Sequence, residues 1–186
     1  MNEKGFTLVE MLATIVILGL VMGIASYGVI GVINKSKNRS EQIFVEKLTS
    51  LIEEYLSLHG SILHENNREY CIRNCGGNEE EKVMIKKVGS FNIMELVNNN
   101  FVDKSKLVNP TNKKECFNNT KNPEVIVYKD TQYVYYYYVD LSGTNTECDI
   151  SEENGMITNF TKKIITELKK ETGLNLPKKL IDKVLD

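Results

Sequence analysis

The chain has 186 residues, 41% hydrophobic and 26% charged, with a formal net charge of -2, four cysteines and no tryptophan. As averages these values describe one ordinary globular domain and exclude collagen, low-complexity disorder and a strongly basic nucleic-acid binder. The averages hide an uneven distribution. From Met11 to Asn34 there is no charged residue, and nearly every side chain is apolar. The remainder is correspondingly more polar, yet a chain of that size buries about 68–70% of its unfolded surface, enough for one core.

A helix crosses a bilayer with about 20 consecutive apolar residues, and Met11–Ile33 exceeds that length. A cleaved secretory signal has a shorter apolar stretch, roughly 7–15 residues, before a small-residue site. Gly23-Ile24-Ala25 could serve as such a site, but apolar sequence runs on to Ile33. A plain single-span anchor fits the length and leaves Glu10 unexplained, because a charge at the start of a membrane segment is costly and usually marks function.

Lys4-Gly5-Phe6-Thr7-Leu8-Val9-Glu10, followed by the apolar run, resembles the leader of type IV prepilins and pseudopilins. The resemblance implies cleavage between Gly5 and Phe6 by a membrane aspartic peptidase, N-methylation of Phe6 and retention of Glu10 for assembly. Cleavage would place an α-amine on Phe6 one helical turn from the Glu10 carboxylate. Each charge costs roughly 2.5–3.5 kcal/mol at the bilayer centre, so pairing Glu10 with the Phe6 amine of a neighbouring subunit would neutralise both and set the stagger between helices. The plainer reading is that Glu10 snorkels to the headgroups. Gly19 and Gly23 form a small-xxx-small pattern that lets apolar helices approach closely, with Gly28 and Gly31 in the same helix. Many major pilins carry a proline midway along this stretch; its absence here leaves pseudopilin and minor-pilin readings open. Lys35, Lys37 and Arg39 follow the span while Lys4 precedes it, which by the positive-inside rule would retain the C-terminal domain in the cytoplasm. The resemblance requires the opposite orientation, and the cysteines side with export.

No glycine or proline lies between Gly31 and Gly60, and Phe44, Leu48, Leu51, Ile52 and Tyr55 recur at helical spacing. One helix is predicted from Phe6 to Leu58, roughly 80 Å long, apolar all round and then amphipathic. The fold expected is α+β and type IV pilin-like, with this helix packed on a small antiparallel sheet. His59 and His64, at the helix end, read as solvated surface residues. Glu81–Val88 reads as strand or turn. Ser90 is a plausible N-cap for a helix over Phe91–Asn98 with Ile93, Met94 and Val97 inward. Asn109-Pro110-Thr111-Asn112 then makes a turn. This order, a short helix before an Asn-Pro turn and a hairpin, resembles pilin-like proteins of low-GC Gram-positive bacteria. The hairpin is predicted from Val125–Tyr128 and Tyr133–Val139, turning at Lys129–Gln132. Tyr133, Tyr135, Tyr137 and Val139 share one face, Val134, Tyr136 and Tyr138 the other. One of the two faces should meet the long helix. The other reads as half-covered by loops, with exposed tyrosines for subunit contact, adhesion or stacking on single-stranded nucleic acid as the minority alternative.

Cys71, Cys75, Cys116 and Cys148 make an even count, read as two disulfides in an exported domain. Three connectivities are possible. Cys71–Cys75 with Cys116–Cys148 is preferred, because the second bond would staple the loop after the hairpin to the loop before it, resembling the disulfide-bounded C-terminal region of many pilins. Zinc is the rival, but only Cys71-x-x-x-Cys75 is present, not a Cys-x-x-Cys knuckle. Asp140, Ser142, Asn145, Glu147 and Asp149 offer oxygen ligands of the kind a hard cation takes, and the resemblance to pseudopilins, some of which hold calcium in a late loop, makes calcium the alternative to the preferred reading, a solvated polar turn. Ile157, Phe160, Ile164, Ile165 and Leu168 sit at helical spacing, and Pro177 opens a final helix with Leu180, Ile181, Val184 and Leu185. That tail could dock on the head, cover a sheet edge or bind a partner.

The division expected is a leader over 1–5, a transmembrane and filament-core half-helix over 6–33, an amphipathic half-helix over 34–59, an α+β head over 60–154 and a helical extension over 155–186. No nucleophile elbow, phosphate loop or His-rich metal motif occurs, so neither a catalytic residue nor a resident metal or other cofactor is expected. The function expected is a filament subunit of a pilus, a type II secretion-like system or a competence pseudopilus. Its partners would be other pilin subunits, the prepilin peptidase, the assembly platform and the membrane. The alternative is a single-pass anchored extracellular binding or sensor domain, which needs neither Glu10 nor the Gly5–Phe6 junction.

Overall fold

The computed structural model describes residues 7–63, 68–110, 113–143, 146–148, 150–171 and 173–185, the side chains of 25–28 and 62 excepted. Its first element is a 52-residue helix, α1, Leu8–His59. The chain divides into two compact units, Met1–Ser40 and Glu41–Asp186. In the first, the apolar side chains are exposed on every side of the helix; Leu12, Ile15, Val16, Ile17 and Leu20 are all more than half accessible. Such a stripe-free apolar surface has no aqueous solution of its own.

In the second unit the pattern becomes one-sided. Phe44, Leu48, Ile52, Tyr55 and Leu56 are buried while Glu46, Lys47, Ser50 and Glu54 are exposed. They pack on a five-stranded antiparallel sheet of β1 Glu69–Arg73, β2 Val83–Asn92, β3 Glu124–Asp130, β4 Tyr135–Asp140 and β5 Met156–Thr158, in the order β1-β2-β3-β4-β5. The central strands alternate. Val127 and Tyr137, paired across the β3–β4 ladder, join Val125, Val139 and the α1 residues in one core, and Tyr128 and Tyr136, the next pair, enter a second core on the opposite face. Gly89, at φ 142°, sits where β2 shifts register against β3, a bulge that needs the freedom only glycine has there.

The second core decides what the C-terminal residues do. Helices α4, Lys162–Leu168, and α5, Lys178–Leu185, bury Ile164, Ile165, Leu168 and Leu180 against Tyr70, Ile72, Ile85, Tyr128 and Tyr136. The tail therefore docks on the head and covers the second sheet face, so Tyr136 is buried and Tyr138 half-buried beneath helices rather than loops. Three boundaries differ from expectation. Ile157 belongs to β5, and α4 starts later, where the Thr161 side chain accepts from the Ile164 amide. The short helix α2, Ile93–Asn98, is capped by Asn92 in a reciprocal box with Glu95, because Ser90 and Phe91 are held in β2 by pairing with Ile126 and Val125. Lys129 and Asp130 extend β3. Buried Asp130 makes the hairpin turn itself, accepting from the Gln132 amide at 2.8 Å, the Val134 amide at 2.9 Å and the Tyr136 hydroxyl at 3.1 Å.

Candidate functional site

The chemistry-bearing segment begins at the start of α1. Thr7 is the N-cap and Glu10 the third helical residue, the positions of a capping box. One Glu10 carboxylate oxygen accepts from the Thr7 amide at 2.9 Å and from its hydroxyl at 2.8 Å, and the Thr7 hydroxyl oxygen accepts from the Glu10 amide at 3.3 Å. Orphan donors of the first turn are thus satisfied within the chain, which matters most where water is scarce. Thr7 is a residue that the reading of Glu10 alone overlooked, although Thr-x-x-Glu is a legible sequence signature. Gly5 and Phe6 lie outside the described residues.

Beyond this cap, α1 carries a stretch long and apolar enough to cross a membrane, and its described side chains are exposed. Gly19 and Gly23 stand one turn apart with nothing within 4 Å of where a Cβ would project, so the backbone is bare on that flank. A neighbouring helix could approach it closely.

In the head, Cys71 is bonded to Cys75 and Cys116 to Cys148. The second pair is fully buried in the core under α1, where the Glu147 amide also donates to the Cys116 carbonyl at 2.9 Å. The first closes a surface turn after β1. His59 departs from expectation: it is half-buried, stacked on Tyr55 at 4.9 Å and 8°, edge-on to Phe101 at 5.2 Å, with a buried Nδ1 lacking a hydrogen-bond partner. Its ring serves as an aromatic surface closing the end of α1. His64 lies outside the described residues.

The oxygen-rich loop after β4 is not gathered as a cation cage. Asp140 caps its own turn, accepting from the Ser142 amide at 2.9 Å and hydroxyl at 2.5 Å, while Glu147 pairs with Lys121 at 3.2 Å. Asn145 and Asp149 lie outside the described residues, and among the described residues no group of three His, Cys, Asp or Glu side chains could hold a metal. Two other acids do structural work that the sequence reading missed. Glu41 is buried and accepts from the Ser151 hydroxyl at 2.7 Å and Asn154 Nδ2 at 3.0 Å. Glu53 accepts from the buried Tyr137 hydroxyl at 3.0 Å. Burial first, then the Glu53 carboxylate, pushes that hydroxyl far above the ordinary phenol range.

Residues 1–26 match the family model of a prokaryotic N-terminal methylation motif. Motifs of this kind form the class III signal peptide of type IV pilins. No curated protein and no solved structure matches the chain. The motif supports a type IV pilin-like or pseudopilin precursor, and the long helix on an antiparallel sheet is an α+β fold consistent with one.

Proposed function

We propose that the chain is the precursor of a filament subunit, a pilin or pseudopilin, cut between Gly5 and Phe6 and N-methylated on Phe6. The methylation motif over residues 1–26 carries this reading, and the exposed apolar helix that follows it supports it. In the membrane the helix anchors the subunit, with the head outside. On extraction its apolar surface, with the bare flank at Gly19 and Gly23, packs against other subunits. Glu10 then has two claims on it. Its own Thr7 cap satisfies it in the isolated subunit, and the Phe6 amine of a neighbour would compete for the same carboxylate in the filament.

Co-expression with a prepilin peptidase, followed by intact mass and N-terminal sequencing, tests the proposal. The mature chain is expected to begin at a methylated Phe6. A chain beginning at Ser26, or one still carrying Met1, overturns it. Glu10→Ala should insert in the membrane normally and fail to enter filaments; normal filaments would remove the assembly role.

A further inference from the structure

Lys35, Lys37 and Arg39 follow the apolar run at alternate positions, and all three side chains are exposed on α1. They lie wholly in the first unit, Met1–Ser40. From Met11 to Ser40 they are the only charged residues, so this stretch carries three positive charges and no negative one. The next acid, Glu41, belongs to the head: buried, it accepts from Ser151 and from Asn154 of α3, Glu152–Gly155.

Helix geometry fixes the depth of these cations. Met11–Ile33 rises about 33 Å, close to the ~30 Å hydrocarbon core of a bilayer. The headgroup layer adds about 5–7 Å on each side, and Lys35 to Arg39 covers about 6 Å of the helix axis. With the apolar run in hydrocarbon, the three cations therefore fall within the headgroup layer. At about 100° per residue, Lys35 and Arg39 share one flank and Lys37 lies nearly opposite, so positive charge surrounds the helix.

We propose that Lys35, Lys37 and Arg39 form a collar that recognises anionic phospholipid headgroups at the end of the membrane-crossing run. The ligand is a lipid with a net negative headgroup, met by two ammonium point charges and the forked donors of Arg39. The same three charges oppose export by the positive-inside rule; as a headgroup collar they have a role on whichever side they lie. The inference rests on the membrane-anchoring part of the reading above and needs neither cleavage nor filament entry.

The test offers the full chain, purified in a neutral detergent at low salt, equal amounts of phosphatidylglycerol and phosphatidylcholine with identical acyl chains. Retained lipid is counted by native mass spectrometry. The native chain should prefer phosphatidylglycerol by about tenfold or more, and added salt should shrink that preference. Lys35→Gln, Lys37→Gln and Arg39→Gln should each cut it by about two- to fivefold, and the triple variant should abolish it. Lys163→Gln, Lys169→Gln and Lys170→Gln together remove the same charge from exposed positions of the head and should leave it unchanged. Equal retention of the two lipids, an unaltered preference in the triple collar variant, or an equal loss in the head variant would overturn the proposal. Displacement of the lipid by glycerol phosphate at the same concentration would also overturn it, by showing a site for free phosphate. Alkaline carbonate extraction of membranes separates the two readings. A chain stripped from the membrane defeats both, whereas an anchored chain with no lipid preference defeats the collar alone.

Discussion

The Glu41 carboxylate, on α1, accepts a hydrogen bond from the hydroxyl of Ser151, 110 residues further along the chain, at 2.7 Å. The Ser151 amide and Asn154 Nδ2 donate to the same oxygen. A buried acid is tolerable when donors surround it, and donors left behind by its removal are costly. Glu41→Ala should destabilise the head by about 1–3 kcal/mol, read from denaturant unfolding. Glu41→Gln keeps one acceptor and should lose less. Equal stability of Glu41→Ala and the native chain would show that the loop does not depend on α1.

Alkaline stability should be limited by the tyrosines of the sheet. Burial holds the hydroxyls of Tyr128, Tyr136, Tyr137 and Tyr138 above their ordinary value of 10.0. A raised value means that the folded state binds the proton more tightly than the unfolded chain. That stabilisation is complete below pH of about 10 and is lost as pH climbs from there toward the folded values. Tyrosinate absorbance and circular dichroism should therefore change together in one alkaline transition for these residues. Ionisation of all of them with the fold intact would contradict this.

The two disulfides should differ in both reactivity and worth. Cys116–Cys148 spans 32 residues and is fully buried, whereas Cys71–Cys75 spans 4 and leaves Cys75 partly accessible. Loop-closure entropy gives roughly 4 kcal/mol for the long loop and about 2 kcal/mol for the short one. Limited reduction and alkylation should label Cys71 and Cys75 first. Paired alanine substitutions at Cys116 and Cys148 should lower Tm more than those at Cys71 and Cys75.

Close packing of glycine gives a graded prediction. A Cβ at Gly155 would lie 2.5–2.8 Å from Ser142 Cβ, N and Cα, a neighbour that is largely backbone. One at Gly60 would meet the Tyr135 ring at 2.4 Å, a side chain that can swing. Gly76 has nothing within 4 Å. Gly155→Ala should cost most, at about 1–3 kcal/mol or beyond, Gly60→Ala less, and Gly76→Ala close to nothing. An inverted order in thermal unfolding would refute the packing described here.

What could be read in advance follows from how local each signal is. The alternation expected over Tyr133 to Val139 and the helical spacing of Phe44 to Tyr55 are carried by neighbouring residues; the alternation is observed from Tyr135 on, while Tyr133, at φ 65°, and Val134 are exposed and precede β4. The leader was legible because a glycine, an aromatic, an acid and an apolar run stand in fixed order. Strands β1 and β5 were not. Five and three residues long, they lie at the two edges of the sheet and owe their conformation to partners distant in sequence. Ile157 illustrates the failure, since its spacing to Phe160 and Ile164 fits a helix while pairing with Val139 draws it into the sheet. Glu41 and Glu53 could not be singled out from sequence, because their partners lie 110 and 84 residues away.

The second core also dictates an order of events during synthesis. Everything that packs under α1 is present once the chain has passed Ile157, including both members of the Cys116–Cys148 bond. The opposite sheet face waits for Leu176 and Leu180. A nascent or truncated chain ending before Pro177 holds a half-finished second core, with the α4 and β5 surfaces that α5 packs on left uncovered. The residues from Pro177 to Leu185 thus close this face, and a chain cut before them leaves it open.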